Sequence, residues 1–100
     1  MNDLDRRVYK KLLQVPKGKV TTYGDLAKAV GLQNGQRLIG QIMNRNPFPV
    51  IVPCHRVIKS DGNVGGYFYG DAVKTKMLSD EGVTIKDGKV QDLEKSIFRF

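Results

Sequence analysis

The chain has one cysteine and one histidine, and they are neighbours: Cys54 and His55, within the stretch PVIVPCHRVIK at 49–59. Thiolate is the nucleophilic form of cysteine. Histidine is the side chain that titrates near neutrality without perturbation. Side by side they could make an activated nucleophile, given a third group to orient the imidazole. The competing reading is an inert cysteine, since a buried and unpaired thiol behaves as a small hydrophobe. Three features favour reactivity: the sole histidine adjacent, the positive charge of Arg56, and Pro53, which lacks an N–H and fixes the backbone of a turn. Neighbours in an extended chain point to opposite faces, so a tight turn or a bridging water must bring thiol and imidazole together. Glu81, near the end of a lysine-rich helix, is the candidate third group; a plain surface carboxylate is the other reading of it.

One hundred residues give one domain with a modest core. No stretch approaches the roughly 18 apolar residues of a membrane span, and Met1 leads straight into a charged segment with no signal peptide visible. No membrane partner is expected, and the setting is expected to be intracellular: cytoplasm or nucleoid, or nucleus in a eukaryote. A single cysteine forms no internal disulfide. One Cys and one His fall short of the four ligands of a structural zinc site, so neither a metal nor a cofactor is expected. The formal net charge is +7, and residues 1–60 hold eleven Lys/Arg against three Asp/Glu, whereas residues 61–100 hold six against seven. A basic front half suits a face for DNA or RNA, or a solvated surface that serves solubility.

The elements that must position Cys54 follow from periodicity and breakers. Leu4, Val8 and Leu12 recur at helical spacing, which predicts a helix over 3–14, stopped by Pro16 and Gly18. Thr22 reads as an N-cap with Asp25 three residues on, opening a helix from Tyr23 to Val30 that Gly31 closes. A second helix is predicted from Gln33 to Asn44, with Leu38, Ile39, Ile42 and Met43 on one arc. Gln33, Gln36, Arg37, Gly40, Gln41 and Asn44 fill the other. Two short helices joined by a glycine-containing turn outline a helix-turn-helix. Gly40 costs the helix roughly 1 kcal/mol relative to alanine. It suits close approach to a nucleic-acid backbone, or close packing of a neighbouring helix. Val50–Val52 and Arg56–Lys59 read as short buried extended segments around Cys54, and Ser60–Asn63 as a turn. Asp71–Asp80 reads as a helix with Val73, Met77 and Leu78 inward. Asp87-Gly88 joins a small hairpin, Val83–Lys86 with Lys89–Val90, and Gln91–Phe98 reads as a short last helix. The fold class is thus mainly α with a small β component: a winged-helix-like helix-turn-helix domain over 1–100, with Cys54 in a loop between short extended segments.

These residues resemble a known family. VPKGKVTTYGDLA, the Arg37 helix, NRNPFPVIVPCHRVI, GNVGGY and AVKTKMLSDEGV are similar, in order and spacing, to the C-terminal domain of O6-alkylguanine-DNA alkyltransferases, from about Leu12 to Val83. The resemblance implies a single-turnover repair protein, a monomer acting on duplex DNA that carries O6-alkylguanine. Its second helix would lie in the minor groove, contacting DNA through Gln36, Arg37, Gly40, Gln41 and Thr22, with Arg37 filling the gap left by an extruded base. Cys54 would take the alkyl group as a thioether, His55 would accept the thiol proton through a water, and Glu81 would orient His55. Tyr23 would assist the leaving guanine, and Asn46 would tie the helix-turn-helix to the loop of Cys54. Tyr67 with Val64, Gly65 and Gly66 would line the base pocket, with Ser60 at its edge.

Two departures from the family stand out. Typical members carry an N-terminal domain before this one, so the chain reads as a short form or as one domain of a longer fusion, able to recruit another repair protein. The pocket loop runs Gly66-Tyr67-Phe68-Tyr69-Gly70, with two aromatics where small residues are usual, which predicts a narrow pocket favouring methyl over benzyl groups. An alternative is a non-enzymatic alkyltransferase-like lesion sensor; such sensors usually carry tryptophan at the position of Cys54. A small winged-helix transcription factor is the third reading, and it gives Tyr23, Asn46 and Glu81 no joint role.

Overall fold

Asn2 starts the first helix by accepting the Asp5 amide proton at Oδ1, 2.8 Å away. In the computed structural model, which describes residues 1–100, α1 runs Asp3–Leu12. Asp3 and Asp5 in its first turn and Lys10 and Lys11 in its last complement the helix dipole. Leu13 and Gln14, expected inside the helix, lie in the turn after it. Thr22 caps the next helix as its sequence predicts: Oγ1 accepts the Asp25 amide at 3.0 Å. β1 is Thr21–Thr22 and α2 is Tyr23–Ala29, one residue shorter than the periodicity predicts. The Asp25 carboxylate turns to Arg99 instead of completing a reciprocal cap.

α3 spans Gln36–Asn44 and buries Ile39, Ile42 and Met43 against α1 and α2. It starts three residues later than the apolar pattern suggests, so Gln33 is outside it. Asn34 sits in the left-handed region at φ 51°. A Cβ on Gly35 would stand 2.8 Å from the Cβ of Leu32, so the turn admits only glycine there.

The segment before Cys54 is not the extended strand predicted. Pro49 and Val52 pair across a tight turn, Val50 takes φ 79°, and Val50 and Ile51 are exposed while only Val52 is buried. The β-branched run suggested a strand, but a proline at each end, Pro49 and Pro53, leaves no room for one. Cys54–Arg56 form one 3₁₀ turn, and β2, Val57–Ile58, then pairs in parallel with β1 in the register Thr21 to Val57 and Thr22 to Ile58.

α4 spans Asp71–Asp80 as expected, but its inward face differs. Leu78 is buried and Met77 partly so, whereas Val73 is exposed and Lys74 is fully buried. β3 (Ile85–Lys86) and β4 (Lys89–Val90) form the hairpin, with Asp87 and Gly88 both at positive φ as a type I′ turn requires. The last helix shrinks to one turn, α5, Leu93–Ser96, because Ile97 and Phe98 leave it to bond along Val20. The architecture is mainly helical with two small sheets. One apolar cluster joins α1, α2 and α3 to Cys54 and Val57; a second gathers Val20, Ile58, Val64, Leu78, Val83 and Val90. No helix is long and apolar enough to cross a membrane.

Candidate active site and nucleic-acid interface

Pro53 sets the geometry of the site. At φ −79° and ψ 65° it is the centre of an inverse γ-turn, closed by the Cys54 amide donating to Val52 O at 2.7 Å. The chain passes at once into the 3₁₀ turn, where neighbouring side chains diverge by about 120° rather than 180°. The backbone therefore turns tightly at Cys54, but no hydrogen bond joins its sulfur to the His55 ring.

His55 is 1% exposed, and its Nε2 lies 3.0 Å from Oε2 of Glu81, the residue that caps the C-terminus of α4. Burial works to raise the Glu81 carboxyl, but hydrogen bonds from Arg56 and His55 outweigh it and hold the group below its ordinary value. An ionised carboxylate only accepts, so Nε2 carries the proton and Nδ1 is the basic nitrogen. Nδ1 is buried and has no partner in the protein. Burial, resisted by Glu81, lowers the His55 pKa below 6.5 and keeps the ring neutral at pH 7.

Arg56, expected to lend its charge to the thiol, is committed elsewhere. Its Nε and Nη2 donate to the two Glu81 oxygens at 2.9 and 2.7 Å, and Nη1 donates to Val15 O at 2.9 Å. Arg56 and Glu81 thus form a clamp that the sequence did not reveal. Cys54 itself is 6% exposed and packs in the larger apolar cluster.

Lys74 is the second residue that sequence reasoning missed. Its Nζ donates to Val57 O at 2.7 Å and Gly66 O at 3.1 Å, tying β2 to the loop that holds Tyr67. Burial lowers its pKa to about 8, against the opposing influence of Cys54. Its one sequence signal was position: Lys74 and Leu78 are four apart on the α4 face turned to the core. Tyr23 opens α2, with its ring 5.9 Å from Lys74 Nζ and its hydroxyl beside Gly65. Burial, then the neighbouring Cys54, raises the Tyr23 pKa, so the phenol stays protonated.

Tyr67 packs against the cluster that contains Cys54 and meets His55 edge to face at 6.4 Å. Its hydroxyl is buried and unpartnered, and burial first, then Cys54, pushes its pKa up to about 12. Val64 and Gly65 are buried beside this loop, and Gly66 is exposed. Phe68 and Tyr69 are 65% and 52% exposed. Tyr69 meets Tyr67 edge to face at 5.7 Å and Phe68 at 5.0 Å. Ser60 is exposed and shares a shallow hollow with Thr22, Asp25 and Arg99.

Asn46 connects the helices to this centre. Its Nδ2 donates to Val52 O at 3.1 Å, and its Oδ1 accepts the Phe48 amide at 2.9 Å. On α3, Gln36, Arg37 and Gln41 are exposed. A Cβ on Gly40 would meet nothing within 4 Å, which rules out close packing of another helix as the reason for that glycine. Thr22 is buried, and its hydroxyl is occupied by the cap of α2. No group of three His, Cys, Asp or Glu side chains is placed to hold a metal ion.

A family model described as the DNA-binding domain of 6-O-methylguanine DNA methyltransferase matches residues 3–83. The chain belongs to this family. Among relatives of the methyltransferase family, a bifunctional methyltransferase/endonuclease of Picrophilus torridus is 42% identical over 98 residues, which are 98% of this chain and 32% of that protein. A methylated-DNA–protein-cysteine methyltransferase of Pyrobaculum aerophilum is 46% identical over 87% of this chain and 57% of its own length. The chain therefore spans about a third to just over half of the curated relatives it matches. Among solved structures, Mycobacterium tuberculosis OGT in complex with DNA superposes with a TM-score of 0.79 at 38% identity, covering 81% of this chain and 50% of that one. Atl1 of S. pombe, in complex with damaged DNA containing O6-carboxymethylguanine, gives 0.87 at 31% identity, covering 99% and 97%.

Proposed function

We propose that residues 1–100 act as one domain that binds duplex DNA carrying O6-alkylguanine inside the cell and moves the alkyl group irreversibly to Cys54. The observation that carries this reading is the His55 ring. Glu81 occupies Nε2, and Nδ1 is left basic and unpartnered within one residue of the only thiol.

In the proposed reaction His55 Nδ1 accepts the Cys54 proton through a water. Cys54 Sγ attacks the alkyl carbon, a C–S bond forms, and the C–O6 bond breaks with its electron pair going to guanine. Tyr23, kept protonated by its surroundings, donates to the departing base, which avoids expelling a bare anion. Glu81 and Arg56 hold the imidazole in register, and Asn46 holds the Val52 carbonyl that orients the γ-turn. α3 would lie against the duplex with Gln36, Arg37, Gly40 and Gln41 facing it, and Arg37 entering the stack in place of the extruded base. Thr22 would contribute by fixing the start of α2. Tyr67, Val64, Gly65 and Gly66 would receive the base, and Ser60 would border it. A thioether is not reversed by thiol exchange, so each molecule reacts once.

A second reading is favoured by the near full-length match to Atl1: a lesion-binding protein that performs no transfer. Cys54 is the residue that separates the two. Incubation with duplex DNA containing O6-methylguanine, followed by intact mass spectrometry, is expected to add one CH₂ unit at Cys54 and none in Cys54→Ser. Lesion-selective binding with unchanged mass would establish the second reading instead.

A further inference from the structure

One apolar surface has no part in the proposed reaction. Between α1 and the turn at 48–52 runs an open groove of about 530 Å³. Tyr9, Leu13, Phe48 and Val52 form its floor, and Arg6, Arg7 and Lys10 stand at its edge. Leu13 and Phe48 are more than half exposed, and the same turn lifts Val50 and Ile51 into solvent, Ile51 at 74%. Val50 holds a left-handed φ of 79°, a conformation that a β-branched residue rarely adopts. The turn thus presents its apolar side chains against a local backbone preference. Single exposed apolar residues are ordinary, whereas a contiguous patch with a polar rim marks an interaction site.

We propose that this groove docks an acidic amphipathic helix of a partner protein. Arg6 and Lys10 stand at the edge without a partner, Arg7 is tied to Val30 O at 2.6 Å, and Asp3 is the one acidic residue of the lining, a balance that selects carboxylates. The floor selects apolar side chains one helical turn apart. A DNA backbone gains nothing from an apolar floor, and a second copy of this chain brings the same basic edge and a charge of +7. The relatives supply the scale: this domain is 32% of one and 57% of another, so those chains carry further protein beside it. None of Gln36, Arg37, Gly40 or Gln41 lines the groove, so the partner and a duplex on α3 need not compete for residues. Val52 belongs to both the groove and the γ-turn, and its carbonyl holds Cys54 and Asn46. The docked helix therefore rests two residues from the sulfur.

The test uses a fluorescein-labelled helical peptide of about 14 residues, leucine on one face and glutamate on the other, beside its lysine counterpart. Titrating the full chain is expected to give saturable anisotropy with the glutamate peptide and binding about tenfold weaker or less with the lysine one. Leu13→Asp is expected to weaken the glutamate peptide about tenfold, and Lys10→Glu about fivefold with a flatter salt dependence. Alkyl transfer by both variants stays at the wild-type level. Circular dichroism verifies folding, and Leu13→Ser replaces Leu13→Asp should the latter unfold. Equal binding of the two peptides, or unchanged binding by the Leu13 variant, overturns the proposal. A wild-type dimer that Leu13→Asp dissolves overturns it in favour of a second copy. Adsorption to phosphatidylserine vesicles that Leu13→Asp abolishes, with no peptide selectivity, overturns it in favour of a membrane surface. A chain that docks the peptide yet transfers no alkyl group retains this proposal and loses the enzymatic one.

Discussion

The surroundings of Cys54 and the outer face of α3 place polar groups under opposite conditions. Around the sulfur, His55 and Lys74 are buried almost completely, and their bonds run to carbonyls or to one carboxylate. On α3 the polar side chains stand in solvent, with a glycine among them that touches nothing. A buried polar group left without its partner is costly, so a substitution in the interior acts on stability and on the proposed chemistry together. The α3 face carries no such coupling, and binding there can change while the fold does not.

Predictions that separate the two regions run from total loss to about 1 kcal/mol. Cys54→Ser is expected to abolish alkyl transfer by intact mass while keeping lesion binding in a gel-shift assay; a residual mass gain elsewhere would move the reactive group away from the interior. Glu81→Ala strips the carboxylate from His55 and leaves the Arg56 guanidinium without its counter-charge. Its expected cost is about 3–5 kcal/mol in urea unfolding, with slower transfer in whatever remains folded. Lys74→Met tests linkage. The folded lysine titrates at about 8 against 10.5 when free, so the unfolded chain binds more protons between those values, and wild-type stability rises with pH there. Between pH 8 and 10 that gain is about 2–3 kcal/mol, and Lys74→Met is expected to flatten it; the tyrosine shifts act only above their ordinary value of 10.0.

His55 gives the next effect. Its lowered pKa means the base is lost only on the acid side of 6.5. Transfer should be flat above neutrality and fall about tenfold per pH unit once the folded ring protonates. Gly40→Ala gives the smallest and most diagnostic change. The added Cβ meets open space, so stability should rise by roughly 1 kcal/mol while affinity for lesion-bearing DNA falls. A variant that gains in both respects would show that α3 does not face the duplex.

The elements governed by local chemistry were legible in the sequence. The Thr22 cap, the apolar arc of α3 and the Asp87-Gly88 hairpin each follow from residues within one turn of one another. What escaped depends on distant partners. Lys74 is not among the residues read as inward, because a buried amine is recognisable only once Val57 and Gly66 are known to lie above it. Arg56 reads as a free charge until Glu81, far along the chain, closes on it. Val50–Val52 read as a strand from its β-branched residues, yet the flanking prolines and the Pro49–Val52 pairing made it a turn. Glu81 can be offered from its place near the end of a lysine-rich helix, but only the family resemblance favours it over a plain surface carboxylate, since nothing local marks a helix-capping carboxylate as the partner of a histidine.

The parallel ladder of Thr21–Thr22 on Val57–Ile58 and the Asn46–Val52 bond grip the Cys54 segment from both ends. One grip comes from the start of α2, the other from the end of α3. Whatever orients this helix pair therefore orients the thiol as well.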